Sequence, residues 1–305
     1  MKQKIRNNES KDIFLELIAI VFLATGGIFV KLSSLGPINT GFYRVLFSIP
    51  LLYPLVRTQL KTISKKDVLI LLAAGVFLAG DIALWNLSFS YTSVANANLL
   101  TNLTPFTVVP LSYFLFKEKV PKLFLLGAGI TILGVFILIC GKVTPTAGNY
   151  FGDLLAFCAS FFYGCFLIIS YHLRDRISSS MIMFVSAFGS AATLLVMAGL
   201  AEGVQVPHGI NELYPLLGLT ICLQLIGHNL LAHCQGKINV NLSSIICLSQ
   251  PVIASFYSFV LFSEKISVME MLGIVIVIGG IFLVKAQYTK KSGCLEDKVD
   301  EELIS

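Results

Sequence analysis

Apolar residues along this chain gather into blocks of about 20, the length at which a helix crosses a bilayer. Ten such blocks can be marked, at 13–31, 38–57, 67–88, 91–116, 121–141, 151–171, 179–200, 213–233, 238–262 and 267–287. The connections are short, apart from the Gly/Pro-containing loops near Thr144–Tyr150 and Glu202–Tyr214. One block departs from the pattern. In the fourth, Asn96, Asn98, Thr101, Asn102 and Thr104 crowd together ahead of Pro105 and the apolar run Phe106–Phe116. Hydrocarbon does not satisfy side-chain amides, so this stretch must face protein or a water-filled cavity. Pro105 has no backbone N–H and leaves the carbonyl of Thr101 without its helical donor, which kinks or loosens the helix. A weaker echo, Asn239 to Gln250 followed by Pro251, predicts a second broken helix in the ninth block.

Composition agrees with a membrane solvent. Of 305 residues, 56% are hydrophobic and 13% charged, about half the charge of a soluble domain. The net charge of +5 does not point to nucleic acid, because the basic residues sit in loops between blocks. With the amino terminus inside, Lys2, Lys4, Arg6, Lys11, Arg57, Lys61, Lys65, Lys66, Lys117, Lys119, Lys122, Arg174, Arg176, Lys237 and Lys285 fall on one side. The other side keeps Lys31, Lys142 and Lys265. The positive-inside rule then places both termini in the cytoplasm. The first block has no A-x-A-like cleavage site and reads as a retained span. Short loops and the lack of an organelle signal favour a bacterial inner membrane. The 7 cysteines are scattered singly, which predicts free thiols and no disulfide or metal framework.

Sliding the chain so that Pro105 falls on Pro251 also places Phe116 on Phe262, Glu118-Lys119 on Glu264-Lys265, Gly127 on Gly273 and Gly134 on Gly280. At a slightly smaller shift Asp12 falls on Asp153. The expected fold is therefore an all-α polytopic membrane protein of ten transmembrane helices in two five-helix repeats. Five is odd, so the second repeat enters the membrane from the opposite face, an inverted-topology repeat. The predicted divisions are a cytoplasmic segment 1–12, repeats at 13–142 and 151–287, and a charged, disordered cytoplasmic tail 288–305. Gly127, Gly129, Gly134, Gly273, Gly279 and Gly280 read as close helix packing. The Glu118-Lys119 and Glu264-Lys265 pairs read as turn elements, with Ser267 to Glu270 forming a capping box.

The pattern Trp85, Tyr91 to Leu100, Pro105, Phe116 to Lys119, Gly127 and Gly134 resembles the EamA-type family of the drug/metabolite transporter superfamily. Pro251, Phe262 to Lys265, Gly273, Gly279 and Gly280 are similar to its second repeat, and Pro37 to Arg44 to its Arg-bearing second span. The likeness runs from Asp12 to about Ala286. It implies a secondary transporter, often an exporter, with an amino acid as the narrower expectation for the cargo. In this chain Asn239-Val-Asn-Leu-Ser-Ser replaces the family's usual small-residue run, a departure from symmetry between the two halves of a site.

Charged groups inside spans are costly and are candidates for function. Arg44 and Asp81 lie at similar depth, roughly 10 Å from one surface, and are expected to pair or share a network. That pair is either a permanent brace or one that breaks in gating or yields Arg44 to a substrate carboxylate. Glu16 is either a rim group reaching cytoplasmic water or a proton-coupling site, since a carboxylate held from water takes a proton more readily. His228 shares a helical face with Gln224 and is either packing or a proton relay. His233 lies roughly 140° around the helix from His228, so no shared metal is expected. Trp85, Asn86, Asn98, Thr101, Asn102, Gln224, Gln250 and Tyr43 are the candidates for a substrate cavity. Inter-helix hydrogen bonding is the competing role of the amides, and interfacial anchoring that of Trp85.

There is no G-x-x-x-x-G-K-[ST] run and no loop long enough for an ATPase domain. Flux must then draw on ion or proton gradients, exchange or the substrate's own gradient, with no cofactor and no metal. The partners expected are a small-molecule substrate and the lipid bilayer, in a monomer or a homodimer, without nucleic acid. A membrane-embedded lipid-modifying enzyme and a non-transporting accessory protein are the rival classes. The interfacial loops lack the acidic or His/Asp/Arg constellation such an enzyme needs.

Overall fold

A computed structural model describes residues 2–61, 63–92, 97, 100–117, 122–140, 150–174, 176–235, 237–238, 240–262 and 267–284. These form helices and turns, with no strand among them. In chain order the helices are α1 (Lys2–Ala24), α2 (Gly26–Leu32), α3 (Pro37–Val56), α4 (Lys65–Ser88), α5 (Pro105–Phe116) and α6 (Lys122–Cys140). The second half supplies α7 (Tyr150–Leu173), α8 (Ser179–Ala201), α9 (Ile210–Gly218), α10 (Asn229–Gln235), α11 (Val240–Ile246), α12 (Gln250–Phe262) and α13 (Val268–Val284). Several run into one another, so the described helices make ten spans. Lys11–Val30, Lys65–Ser88, Tyr150–Leu173, Ser179–Ala201 and Ile210–Cys234 are each long and apolar enough to cross a membrane alone. The fold is two inverted five-helix repeats.

Four spans are interrupted. The first turns at Thr25 between α1 and α2, where the Thr25 hydroxyl donates to the carbonyl of Phe22 at 2.7 Å. The fourth breaks in a turn at 102–104, and the carbonyl that Pro105 frees on Thr101 accepts the Thr104 hydroxyl at 3.0 Å. The eighth holds a wide π-helical stretch, Leu219–His228, between α9 and α10. The ninth narrows to a 3-10 turn at Cys247–Ser249, where the backbone N–H of Gln250 reaches the carbonyl of Cys247. The prolines explain the fourth and ninth. Nothing comparable marks the π stretch, and π turns recur at functional sites.

The main core lies between α3 and α4 of the first repeat and α7 and α8 of the second, around Leu52, Leu71, Leu78, Ile82, Leu167, Met181 and Ile182. Helices α4 and α8 touch backbone to backbone. A Cβ on Gly75 would stand 2.8 Å from the N of Ser190, and one on Gly189 would meet the backbone of Leu72. The Ser190 hydroxyl completes the crossing by donating to the carbonyl of Gly75 at 2.7 Å. Small residues permit this approach, which substitutes for the hydrophobic drive that lipid does not provide. Helices α6 and α13 meet through Gly127, Gly134 and Gly280. Gly129 and Gly279 were expected to pack in the same way, but a Cβ on either meets nothing within 4 Å. They point off the seam.

Both ends of the bundle are tied across the two repeats. At one end the Glu202 carboxylate, just past α8, accepts the N–H groups of Ile38 at 2.9 Å and Asn39 at 3.1 Å in the first turn of α3. The Asn39 amide donates to Glu202 Oε2 and to the carbonyl of Gly203, both at 2.9 Å, and accepts from the N–H of Gln205 at 3.0 Å. The Gln205 amide accepts from the N–H of Gly36 at 2.7 Å. Orphan N–H groups and the positive end of the helix dipole both favour a carboxylate there. At the opposite end Arg176 meets Asp67 at 3.0 Å and Lys237 meets Asp12 at 3.3 Å. Ser178 also donates to Gln59.

These ties differ in worth. Arg176 and Lys237 are about half exposed, and such pairs contribute roughly 0–1 kcal/mol. The Glu202 cap satisfies groups with no other partner, and its loss is expected to cost about 1–3 kcal/mol. Denaturant midpoints of Glu202→Ala and Arg176→Ala proteins, measured side by side, check this order. Equal midpoints for the two would refute it.

Candidate functional site

The interruptions of the first, fourth and ninth spans meet around one small cavity. About 60 Å³ is bounded by Thr101, Asn102 and Thr104 of the fourth span, Ser244, Cys247 and Gln250 of the ninth, Leu23 of α1, Trp85 of α4 and Tyr163 of α7. Each broken helix brings polar groups that a continuous helix would spend internally. The Thr101 hydroxyl donates to the carbonyl of Ala97 at 2.7 Å, and the Gln250 amide stands 3.5 Å from the carbonyl of Leu23. Trp85 stacks edge-on to Phe89 with ring centroids 5.0 Å apart. Below the break, the Ser112 hydroxyl of α5 donates to Asn241 Oδ1 of α11 at 2.8 Å and binds the two broken spans together.

Of the residues the sequence suggested, Trp85, Thr101, Asn102 and Gln250 line this cavity. Asn98 lies outside the described residues. Tyr43, Asn86 and Gln224 do not line it. Tyr43 donates its hydroxyl to the carbonyl of Gln205 at 2.8 Å and so belongs to the Glu202 clamp. Asn86 donates to the carbonyl of Pro37 at 2.8 Å, which fastens α4 to the start of α3. Gln224 packs against Arg44. In each case sequence gave the depth along the helix axis but not the direction around it.

Arg44 and Asp81 do not form the expected direct pair. Arg44, 2% exposed, donates Nε to Gln224 Oε1 at 3.2 Å and Nη2 to His228 Nδ1 at 3.3 Å. A guanidinium only donates, so Nδ1 is the acceptor and the imidazole carries its proton on Nε2. The Thr220 hydroxyl reaches the carbonyl of Arg44 at 3.1 Å. All three partners lie on the π stretch, four residues apart, so that one face of it meets α3. Asp81 is 9% exposed and has no hydrogen bond or ion pair among the described residues. The ring of Tyr163 lies 5.9 Å from that of His228, so Tyr163 separates this cluster from the cavity.

Glu16 is fully buried, which removes the reading of it as a rim group. Its Oε1 accepts the Ser243 hydroxyl, and its Oε2 has no partner. Ser243 adjoins Ser244 of the cavity wall, so Glu16 stands directly behind that wall. Ser243, Ser244 and Cys247 were not chosen from sequence as site residues. The run Asn239 to Ser244, with hydroxyls where small apolar residues are usual, was the available signal. Among the described residues no three His, Cys, Asp or Glu side chains gather closely enough for a metal ion.

Comparison with known proteins places this geometry in a family. The model of the EamA-like transporter family matches residues 10–140 and again 150–286. The uncharacterized transporter YetK of Bacillus subtilis (strain 168) is 28% identical, over 81% of this chain and 77% of that protein. The probable amino-acid metabolite efflux pump of Salmonella typhimurium (strain LT2) is 22% identical, over 90% of this chain and 94% of that protein. A crystal structure superposes with a TM-score of 0.77 at 16% identity, covering 92% of this chain and 98% of the other, which shows a common fold. Two repeats of the family pattern, ten spans and a cavity between the broken helices agree: the chain is an integral membrane transporter and belongs to the EamA-like transporter family.

Proposed function

We propose that this protein exports a small metabolite such as an amino acid by alternating access, with the proton gradient as its drive through Glu16. The observation that carries the reading is the cavity itself. Both repeats bring interrupted helices to it, and a carboxylate with an unpartnered oxygen lies behind its wall. Its volume of about 60 Å³ is well below the roughly 300–1,000 Å³ of sites that enclose a small molecule. Cargo therefore enters only when the breaks move apart, which is the motion that inverted repeats provide. Glu16 takes a proton when the site faces one side and releases it on the other. His228 orients Arg44 in this scheme and transfers no proton. The name of the Salmonella relative supports the amino-acid reading, and the lysine and arginine asymmetry supports cytoplasmic termini in a bacterial inner membrane. One chain encloses the whole pathway, and it does no chemistry on the cargo.

Asn102 and Gln250 line the cavity from the two repeats. Asn102→Ala and Gln250→Ala are each expected to reduce counterflow of a labelled amino-acid pool in proteoliposomes by roughly tenfold, the cost of about one lost buried hydrogen bond to cargo. Asn86→Ala, off the cavity, is expected to leave flux near wild type. Counterflow unchanged in both cavity variants would place the pathway elsewhere.

A further inference from the structure

Arg44 stands in a setting that its own chain does not complete. The guanidinium is buried, always charged, and held by two neutral acceptors, Gln224 Oε1 and His228 Nδ1. Taking such a charge from water without an anion is strongly unfavourable. Asp81 on α4 lies within electrostatic reach but not in contact, and it too has no hydrogen-bond partner among the described residues. A permanent brace between α3 and α4 would have closed that gap. Beside the guanidinium, Gln224 Nε2 is buried without a partner, a second donor of the same polarity on the same helix face. A guanidinium and an adjacent amide N–H suit the two oxygens of a carboxylate.

We infer that Arg44 and Gln224 form a subsite for the carboxylate of the cargo. The inference rests on the transport reading above and narrows it: the cargo must carry a carboxylate. The subsite is one side chain behind the cavity, since Tyr163 lines that cavity and its ring abuts His228, which holds Arg44. Rotation of Tyr163 joins the two spaces. Glu16 and Arg44 then bracket the pathway with opposite charge from either side of Tyr163.

The test uses the full chain in proteoliposomes, with labelled neutral amino acids competed by unlabelled amino acids, their α-amides and the corresponding decarboxylated amines. The carboxylates are expected to compete roughly 30-fold better than either, the loss typical when one partner of a buried charged hydrogen bond is removed. Arg44→Gln and Gln224→Leu are expected to erase that preference, and Arg44→Lys to retain part of it. Amides competing as well as acids, or a preference that survives in Arg44→Gln, would overturn the subsite while leaving transport intact. A thermal-shift series on purified protein with the same three compound classes separates the other failure. Carboxylate-selective stabilisation that Gln224→Leu removes, without any flux, defeats the transport reading and keeps the subsite. No selective stabilisation in the wild type defeats the subsite.

Discussion

Gly75→Val is expected to yield no folded protein. At the α4–α8 crossing a Cβ on Gly75 already meets the backbone at Ser186 and Ser190, and backbone does not step aside as a flexible side chain does. Valine adds two further methyl groups at the same point, so the helices must separate. Overpacking alone costs roughly 1–3 kcal/mol, and here the separation also breaks the Ser190 hydrogen bond to the carbonyl of Gly75. Gly189→Val, on the facing helix, is expected to fail in the same way. Gly129→Val, directed at open space, is expected to accumulate as wild type. Monodisperse yield in size exclusion after detergent extraction checks all three, and a folded Gly75→Val protein would disprove the close crossing.

The second large effect concerns Glu16. A glutamine there keeps the size and an oxygen to accept the Ser243 hydroxyl but has no proton to release. Flux driven by an imposed pH gradient is expected to fall to background in Glu16→Gln, while exchange of labelled for unlabelled cargo at equal pH persists. Ser243→Ala removes one hydrogen bond of about 1 kcal/mol and is expected to change the rate only a few-fold. Gradient-driven flux at the wild-type rate in Glu16→Gln would remove the proton from this position. Loss of exchange as well would make Glu16 a cargo contact and not a proton carrier.

Much of the architecture was legible in the sequence because bilayer thickness fixes the length of each apolar block and proline marks a break chemically. Pro105 and Pro251, aligned by the repeat, located two of the four interruptions. The other two carry weaker marks. The turn at Thr25 is followed by Gly26-Gly27, and the π stretch is marked by nothing more than Gly227 near its end. Arg44 and Asp81 share a depth, and pairing them is the natural reading of the sequence. Gln224 and His228 were legible as one helical face, but not that this face turns to Arg44. The Glu202 clamp was hidden for a different reason. Its partners lie in loops far apart in the chain, and an isolated acidic loop residue resembles any solvated one until the helix terminus it caps is known.

The π stretch also constrains how this chain tolerates change in length. A π turn is an α-helix carrying an extra residue in its coil, and removing one residue from Leu219–His228 lets the segment relax into regular α geometry. The residues on either side then keep their facing, and His228 stays on the guanidinium. The same deletion in the regular helix α3 turns everything beyond it by about 100°. The eighth span can thus lose a residue where its neighbours cannot.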